Sequence, residues 1–256
     1  MEAKLKVNEI FTTFQGEGAS MGRNVTFLRL SVCNLHCRWC DTWYTWNFGK
    51  GDGVEERFGS KTVKMADEVH EMTIDEVAEK LRSLEPRRVV ISGGEPMIQQ
   101  KLLVELICKL KAFSRPLKEW EHWEFEIETN GTIPFIEPSG GYSVSGLIDQ
   151  INCSPKLESS GNPKALRYKP DVLRSYCATH KAYFKFVVTE PRDLEEVREI
   201  VHEVGIPPER VYLMPQGKTK AEQEQFQGEV AALAQQEGFN FSPRLHILVY
   251  DSKRGV

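Results

Sequence analysis

The chain has 256 residues, 40% of them hydrophobic and 27% charged, which describes an ordinary globular protein with material for a substantial core. Its 33 basic and 37 acidic residues leave a formal net charge of −4, which gives no electrostatic support for direct binding of nucleic acid or an anionic membrane. The opening "MEAKLKVNEIF" lacks the apolar run of a secretory signal and no stretch approaches a membrane span, so a cytoplasmic location is expected.

In chain order, the first predicted strand is "VTFLRLSV" from Val25. A Gly-rich, charged stretch over 46–71 reads as an insertion or flap. "TIDEVAEKLRSL" then opens with Thr73 and carries Glu76 three residues on, a capping-box signature, with Ile74, Val77, Ala78 and Leu81 on one helical face. The strand "RRVVIS" from Arg87 is followed by "QQKLLVELICKLKAF", whose Leu102, Leu103, Leu106, Ile107 and Leu110 recur at helical spacing. Strands are predicted at "WEFEIET" from Trp123, "LIDQINCS" from Leu147 and "YFKFVVT" from Tyr183. The helix "RDLEEVREIVHEVG" stops at Gly205, ahead of Pro207 and Pro208. The strand "RVYLMP" from Arg210, the helix "KAEQEQFQGEVAALAQQEG" and a last strand, "RLHILVY" from Arg244, complete the series. Strands alternating with helices predict parallel, right-handed β/α units in one domain over 1–256. About six such units suit an incomplete (β/α)6-type TIM-like barrel better than a full eightfold one, with function at the C-terminal ends of the strands.

One such end carries the main chemical signal. Three of the six cysteines, Cys33, Cys37 and Cys40, lie within eight residues, spaced C-x3-C-x2-C. Three neighbours cannot all pair as disulfides, and a closed zinc site wants four ligands. His36 offers a fourth, but it directly precedes Cys37 and needs an awkward turn to share one ion. A cubane iron–sulfur cluster held by thiolates usually takes four, so three suggest a cluster with one iron left open. The other cysteines, Cys108, Cys153 and Cys177, are far apart and read as small buried apolar residues. "ISGGEP" at Ile91–Pro96 follows a strand; its paired glycines let backbone approach a ligand closely, on the same predicted rim as the cysteine loop.

C-x3-C-x2-C followed one β/α unit later by GGEP resembles the radical S-adenosylmethionine (SAM) superfamily. The resemblance implies three thiolates on three irons of a [4Fe–4S] cluster, and SAM on the fourth. A closer likeness covers most of the chain: "EIFTTFQGEG" at Glu9–Gly18, "FLRLSVCNLHCRWCDT" at Phe27–Thr42, "SGGEP", "ETNG" at Glu128–Gly131, "SPK" at Ser154–Lys156 and the tail "LHILVYDSKRGV" occur in order. Together these resemble the 7-carboxy-7-deazaguanine synthase family of the queuosine and 7-deazapurine pathway. That likeness implies conversion of 6-carboxy-5,6,7,8-tetrahydropterin to 7-carboxy-7-deazaguanine by ring contraction with loss of ammonia, with Mg²⁺ as a further cofactor.

Carried over residue by residue, the likeness implies substrate binding by Phe14, Gln15, Gly16, Glu17, Arg29, Ser92, Glu128, His246 and the terminal carboxylate of Val256. It implies SAM binding by Gly94, by Ser154, Pro155 and Lys156, and by Met214, Pro215, Gln216 and Gly217, and Mg²⁺ binding by Thr42. The residue types suit these roles. A pterin needs an acceptor for its amide and amino N–H groups, which Glu128 offers, and a cation for its carboxylate, which the planar fork of Arg29 offers. The structural alternative for Arg29 and Glu128 is a strand-end salt bridge. Thr42, a single neutral hydroxyl, needs the substrate carboxylate to complete a Mg²⁺ shell. Trp39 and Trp43 flank Cys40 and are expected to shield the cluster or to pack in the core. The family further implies a homodimer and an electron donor such as flavodoxin, which a basic patch including Arg38 and Lys50 is expected to receive. Two other classes stay open. A glycyl-radical activating enzyme shares the cysteine spacing and GGEP but acts on a partner protein, and a zinc or iron–sulfur module is not an enzyme at all.

Overall fold

The computed structural model describes residues 3–49, 56–57, 60–112, 122–136 and 142–256, and the chain forms two compact units. The first comprises Met1–Thr13, Asn24–Glu128 and Phe135–Asp149. Its elements are β1 (Lys4–Phe14), β2 (Asn24–Leu30), the short strands β3 (Glu56–Arg57) and β4 (Ser60–Lys61), α1 (Met65–Glu68), β5 (His70–Thr73), α2 (Ile74–Arg82), β6 (Arg88–Gly93), α3 (Gln100–Ala112), β7 (Glu124–Thr129) and α4 (Val144–Leu147). Its sheet has the order β7-β6-β2-β1-β5, with β3 paired separately to β4. β2, β6 and β7 run parallel, placing Leu28 beside Ile91 and Ile91 beside Ile127. Val89, Val90 and Ile91 are fully buried, the uninterrupted apolar run of a strand covered on both faces. β5 closes the edge antiparallel to β1.

α2 forms where the sequence predicts. Glu76 N donates to Thr73 Oγ1 and Thr73 N donates to Glu76 Oε2, satisfying two amides that the first turn leaves without partners. The predicted apolar face, Ile74, Val77, Ala78 and Leu81, is the buried one. Removing a Val or Leu side chain from water contributes about 1.5–3 kcal/mol, so this stripe holds α2 more firmly than helix propensity does.

The second unit comprises Phe14–Arg23, Thr129–Pro134 and Gln150–Val256. It contains β8 (Gln150–Cys153), α5 (Lys164–Arg167), α6 (Pro170–Cys177), β9 (Ala182–Val188), α7 (Asp193–Val204), β10 (Val211–Pro215), α8 (Lys220–Glu237), β11 (Asn240–Phe241) and α9 (Leu245–Tyr250). Its four strands are all parallel, in the order β11-β10-β9-β8. Phe184, Phe186 and Val188 of β9 and Val211 and Leu213 of β10 are fully buried. α7 ends at Gly205, which takes the left-handed conformation at φ 76° that favours glycine.

The "RLHILVY" run departs from expectation. It is the helix α9, in which Ile247 is buried while Val249 is 59% exposed. Its β-branched composition favours a strand, but Leu245 N donates to Gly16 O and the chain turns into a helix from there. Tertiary anchoring overrides a weak local preference. Part of the predicted flap, 50–55 and 58–59 with Lys50 among them, lies outside the described residues. The described remainder of 46–71 includes α1, whose buried Glu68 accepts a hydrogen bond from Asn8 Nδ2 at 2.8 Å, and the start of β5. No helix among the described residues is long and apolar enough to cross a membrane.

Candidate active site

In the first unit β2 delivers the chain to Val32, which sits at φ 79°, a conformation that a β-branched side chain rarely adopts. Two bonds hold it there: Val32 N donates to Thr45 O at 2.7 Å, and Glu95 N donates to Val32 O at 2.9 Å. The strain therefore lies directly before Cys33, clamped between the cysteine loop and the GGEP turn. The two glycines of that turn are required by contact. A Cβ on Gly93 would lie 2.0 Å from Leu30 O, and one on Gly94 would lie 2.1 Å from Val32 O. Glu95 is fully buried, and its carboxylate accepts from Met97 N at 3.0 Å, capping the turn of helix that follows.

Within the loop, Leu35 N donates to Cys33 Sγ at 3.4 Å and Trp46 Nε1 donates to Cys40 Sγ at 3.3 Å. Trp46 is also stacked on His36, ring centroids 4.5 Å apart, which gives that imidazole a packing role in the loop. Sequence proximity points to Trp39 and Trp43 and misses Trp46, the indole that reaches a sulfur. Burial pushes the Cys33 thiol up to about 12, and Glu95 and the neighbouring thiols add to it. Cys40 is raised in the same direction by burial and by Asp41. Such thiols become thiolates when a cationic centre compensates them. The three cysteines share one loop, and the N–H bonds to Cys33 and Cys40 fit a cluster whose sulfurs are tuned by hydrogen bonding. Thr42 follows directly; its Oγ1 is 3.7 Å from Cys40 Sγ, and its carbonyl accepts from Thr45 Oγ1.

Three predicted substrate residues, Arg29, Ser92 and Glu128, stand on the neighbouring strands β2, β6 and β7 of this unit. Arg29 Nε donates to Glu9 Oε1 at 2.7 Å, and Tyr44 OH donates to the same oxygen at 3.3 Å. The guanidinium also lies 5.5 Å from the centroid of Phe11 and 5.7 Å from that of Phe27, two rings stacked on each other. Burial alone lowers the Arg29 pKa, but Tyr44, Glu9 and Asp41 outweigh it and raise it, so the charge is permanent. The salt bridge thus uses Nε, and the Nη nitrogens have no acceptor among the described residues. Ser92 Oγ donates to Glu128 Oε2 at 2.8 Å, joining the other two and orienting the carboxylate.

The second unit carries the remaining predicted substrate residues. Phe14 is 49% exposed at the end of β1, whereas Gln15 is buried and its side-chain carbonyl accepts from Glu17 N. A Cβ on Gly16 would lie 2.1 Å from His246 Nδ1, so the loop and α9 meet at a position only glycine permits. Both oxygens of Glu17 are engaged: Lys185 Nζ donates to Oε2 at 2.7 Å and Arg244 Nε donates to Oε1 at 3.0 Å. Burial would raise this carboxyl, but Lys185, Arg244 and His246 hold it well below the usual carboxylate range. Glu17 is therefore an internal anchor of its loop. Its partners Lys185 and Arg244 carry no local signal in the sequence.

The three predicted SAM segments are positioned as follows. Gly94 lies in the first unit. Ser154 N donates to Thr129 O, Lys156 Nζ donates to Ser154 Oγ at 2.8 Å, and the buried Arg167 donates through Nη1 to Lys156 O at 2.9 Å, with Pro155 between. Met214 and Pro215 end β10. Gln216 N donates to Val188 O, and Gly217 O accepts from both Gln223 Nε2 and Arg244 Nη1. Val256 is part-buried at the end of the tail beyond α9.

The model of the radical SAM superfamily matches residues 29–141. The 7-carboxy-7-deazaguanine synthase of Pyrobaculum aerophilum is 34% identical over 254 residues, covering 98% of this chain and 97% of its own. That of Hyperthermus butylicus is 34% identical over 250 residues, covering 96% and 92%. Among solved structures, QueE from Escherichia coli superposes with a TM-score of 0.62 at 24% identity over 95% of both chains. That likeness carries the fold, the β/α architecture of an incomplete barrel expected from the sequence.

Proposed function

The chain belongs to the 7-carboxy-7-deazaguanine synthase family of radical SAM enzymes, and on that premise we propose how its residues divide the work of converting 6-carboxy-5,6,7,8-tetrahydropterin to 7-carboxy-7-deazaguanine with loss of ammonia. Cys33, Cys37 and Cys40 hold a [4Fe–4S] cluster, and the one observation that carries this is the GGEP turn packed backbone to backbone against the strained residue before Cys33. Once bound and reduced, such a cluster would supply the electron for SAM-dependent hydrogen abstraction. The chain's own residues bind and orient. The Nη edge of Arg29 receives the pterin carboxylate, while Glu9 fixes the guanidinium from behind. Glu128, held by Ser92, accepts from the N–H groups at the pterin's other end.

Phe14, Gln15, Gly16, His246 and Val256 add further substrate contacts. Gly94, the 154–156 turn and the 214–217 turn bind SAM. Thr42 would offer its hydroxyl to Mg²⁺, with the substrate carboxylate needed beside it. The active form is a homodimer that takes electrons from a flavodoxin-like donor, with the exposed Arg38 beside the cluster loop as one docking cation. The test is anaerobic reconstitution followed by addition of the tetrahydropterin, SAM and dithionite. Ring-contracted product is expected. Four irons per chain and SAM cleavage without that product would instead indicate a radical SAM enzyme of another substrate, such as an activator of a partner protein.

A further inference from the structure

The second unit contains a cation shared by two loops. Arg244 Nε donates to Glu17 Oε1 at 3.0 Å, and its Nη1 donates to Gly217 O at 2.8 Å. Glu17 belongs to the Gln15–Gly18 loop and Gly217 to the turn after β10, so one rigid fork spans both. Neither loop is held by this contact alone. Lys185 takes the other oxygen of Glu17, Gly18 N donates to Ser242 Oγ, and Leu245 N donates to Gly16 O. On the other side Gln223 Nε2 donates to Pro215 O and Gly217 O. Each loop thus has local supports of its own, and the guanidinium is bonded to both. Its geometry is fixed, because a planar fork cannot shift one N–H without moving the other. Gly16, one residue from Glu17, abuts His246, two residues from Arg244, so the loop and α9 are in close contact there as well.

We infer that Arg244 is a positioning residue that couples pterin binding at the Gln15–Gly18 loop to SAM binding at the 214–217 turn. This rests on the proposed assignment of those two segments. A ligand that settles one loop presets the other through the shared guanidinium, and by linkage each ligand tightens the other by the same factor. A merely structural arginine would weaken both affinities and leave the factor by which each ligand tightens the other untouched. The coupling factor is therefore the quantity to measure.

The experiment uses anaerobic, cluster-loaded, unreduced enzyme, so that both ligands bind without turnover. SAM affinity is measured by equilibrium dialysis with and without saturating tetrahydropterin. In the wild type, the pterin is expected to tighten SAM binding by about 5-fold or more. Arg244→Lys keeps a cation for Glu17 but loses the second donor to Gly217 O, and the factor is expected to fall to about 1. Arg244→Met serves as a companion and is not needed if it fails to fold. A wild-type factor near 1, or a lysine variant that keeps the wild-type factor, overturns the inference. Parallel assays of the reduced wild type separate the two levels. Normal product formation with unchanged coupling in the variant removes only this inference, whereas no product removes the functional assignment and the inference with it.

Discussion

In the function proposed above, Arg29 would carry both a structural and a recognition duty. A salt bridge to Glu9 would ordinarily satisfy it, yet among the described residues only Nε is used, and the flat guanidinium is held by two stacked phenyl rings and a shared carboxylate. The fork is thereby pre-set, so a substrate carboxylate loses little binding energy to ordering it. The prediction is that Arg29→Lys, which keeps the charge and loses the fork, raises KM for the carboxylated pterin about 10- to 100-fold, the equivalent of the roughly 1.5–3 kcal/mol in charge-assisted hydrogen bonds. KM for SAM should change far less. Glu9→Gln should produce a smaller rise of the same kind, because the charge on Arg29 survives while its anchor weakens. Steady-state kinetics with both co-substrates varied would decide; equal effects on the two KM values would mean that Arg29 serves the fold and not the carboxylate.

At the scale of elements, the turn after β6 and the loop after β2 form one object. Gly94→Ala places a methyl group 2.1 Å from Val32 O, a backbone atom that cannot rotate away. Val32 is already in a left-handed conformation costing on the order of 1–3 kcal/mol, so displacement should fall on the neighbouring Cys33. Iron and sulfide per chain after anaerobic reconstitution are predicted to drop well below wild-type levels, while far-UV circular dichroism stays unchanged. Full cluster loading in this variant would show that turn and loop are independent. Both members of this pair are legible in the sequence, because cysteine spacing and paired glycines are local signals. So are α2, from Thr73 and Glu76, and the end of α7, from Gly205. What is not legible depends on distance along the chain: Glu9 meets Arg29 across 20 residues, Lys185 meets Glu17 across 168, and Arg244 meets Glu17 across 227. α9 reads as a strand for the same reason, its conformation being set by an anchor on Gly16. Trp46 is a different case, since it lies only six residues from Cys40 yet nearer indoles draw attention first.

For the molecule as a whole, the slight acidic excess says little about stability, because most charges sit in water where exposed pairs contribute about 0–1 kcal/mol. Glu17 is different. Its side chain is 13% exposed, and its cationic partners Lys185 and Arg244 are 3% and 9% exposed. With His246 adding to the field, the folded carboxyl titrates well below its ordinary value of 4.5. The sign follows from linkage. Above 4.5 the carboxylate is ionised in both states and the folded state keeps the full benefit of its cations. As the pH falls below that value, the unfolded chain takes up the proton first, so unfolding gains and the benefit is lost progressively down to the folded pKa. Glu17→Gln leaves two buried cations without their anion and is predicted to lower unfolding free energy at pH 7 by about 3–5 kcal/mol. The gap between variant and wild type should then narrow as the pH is lowered from about 5 toward 3, since other carboxylates titrate equally in both proteins and cancel. Urea denaturation of the two chains across that range measures it. A gap that stays constant with pH would mean that Glu17 acts through shape alone, and that the low-pH behaviour of the protein is set by other carboxylates.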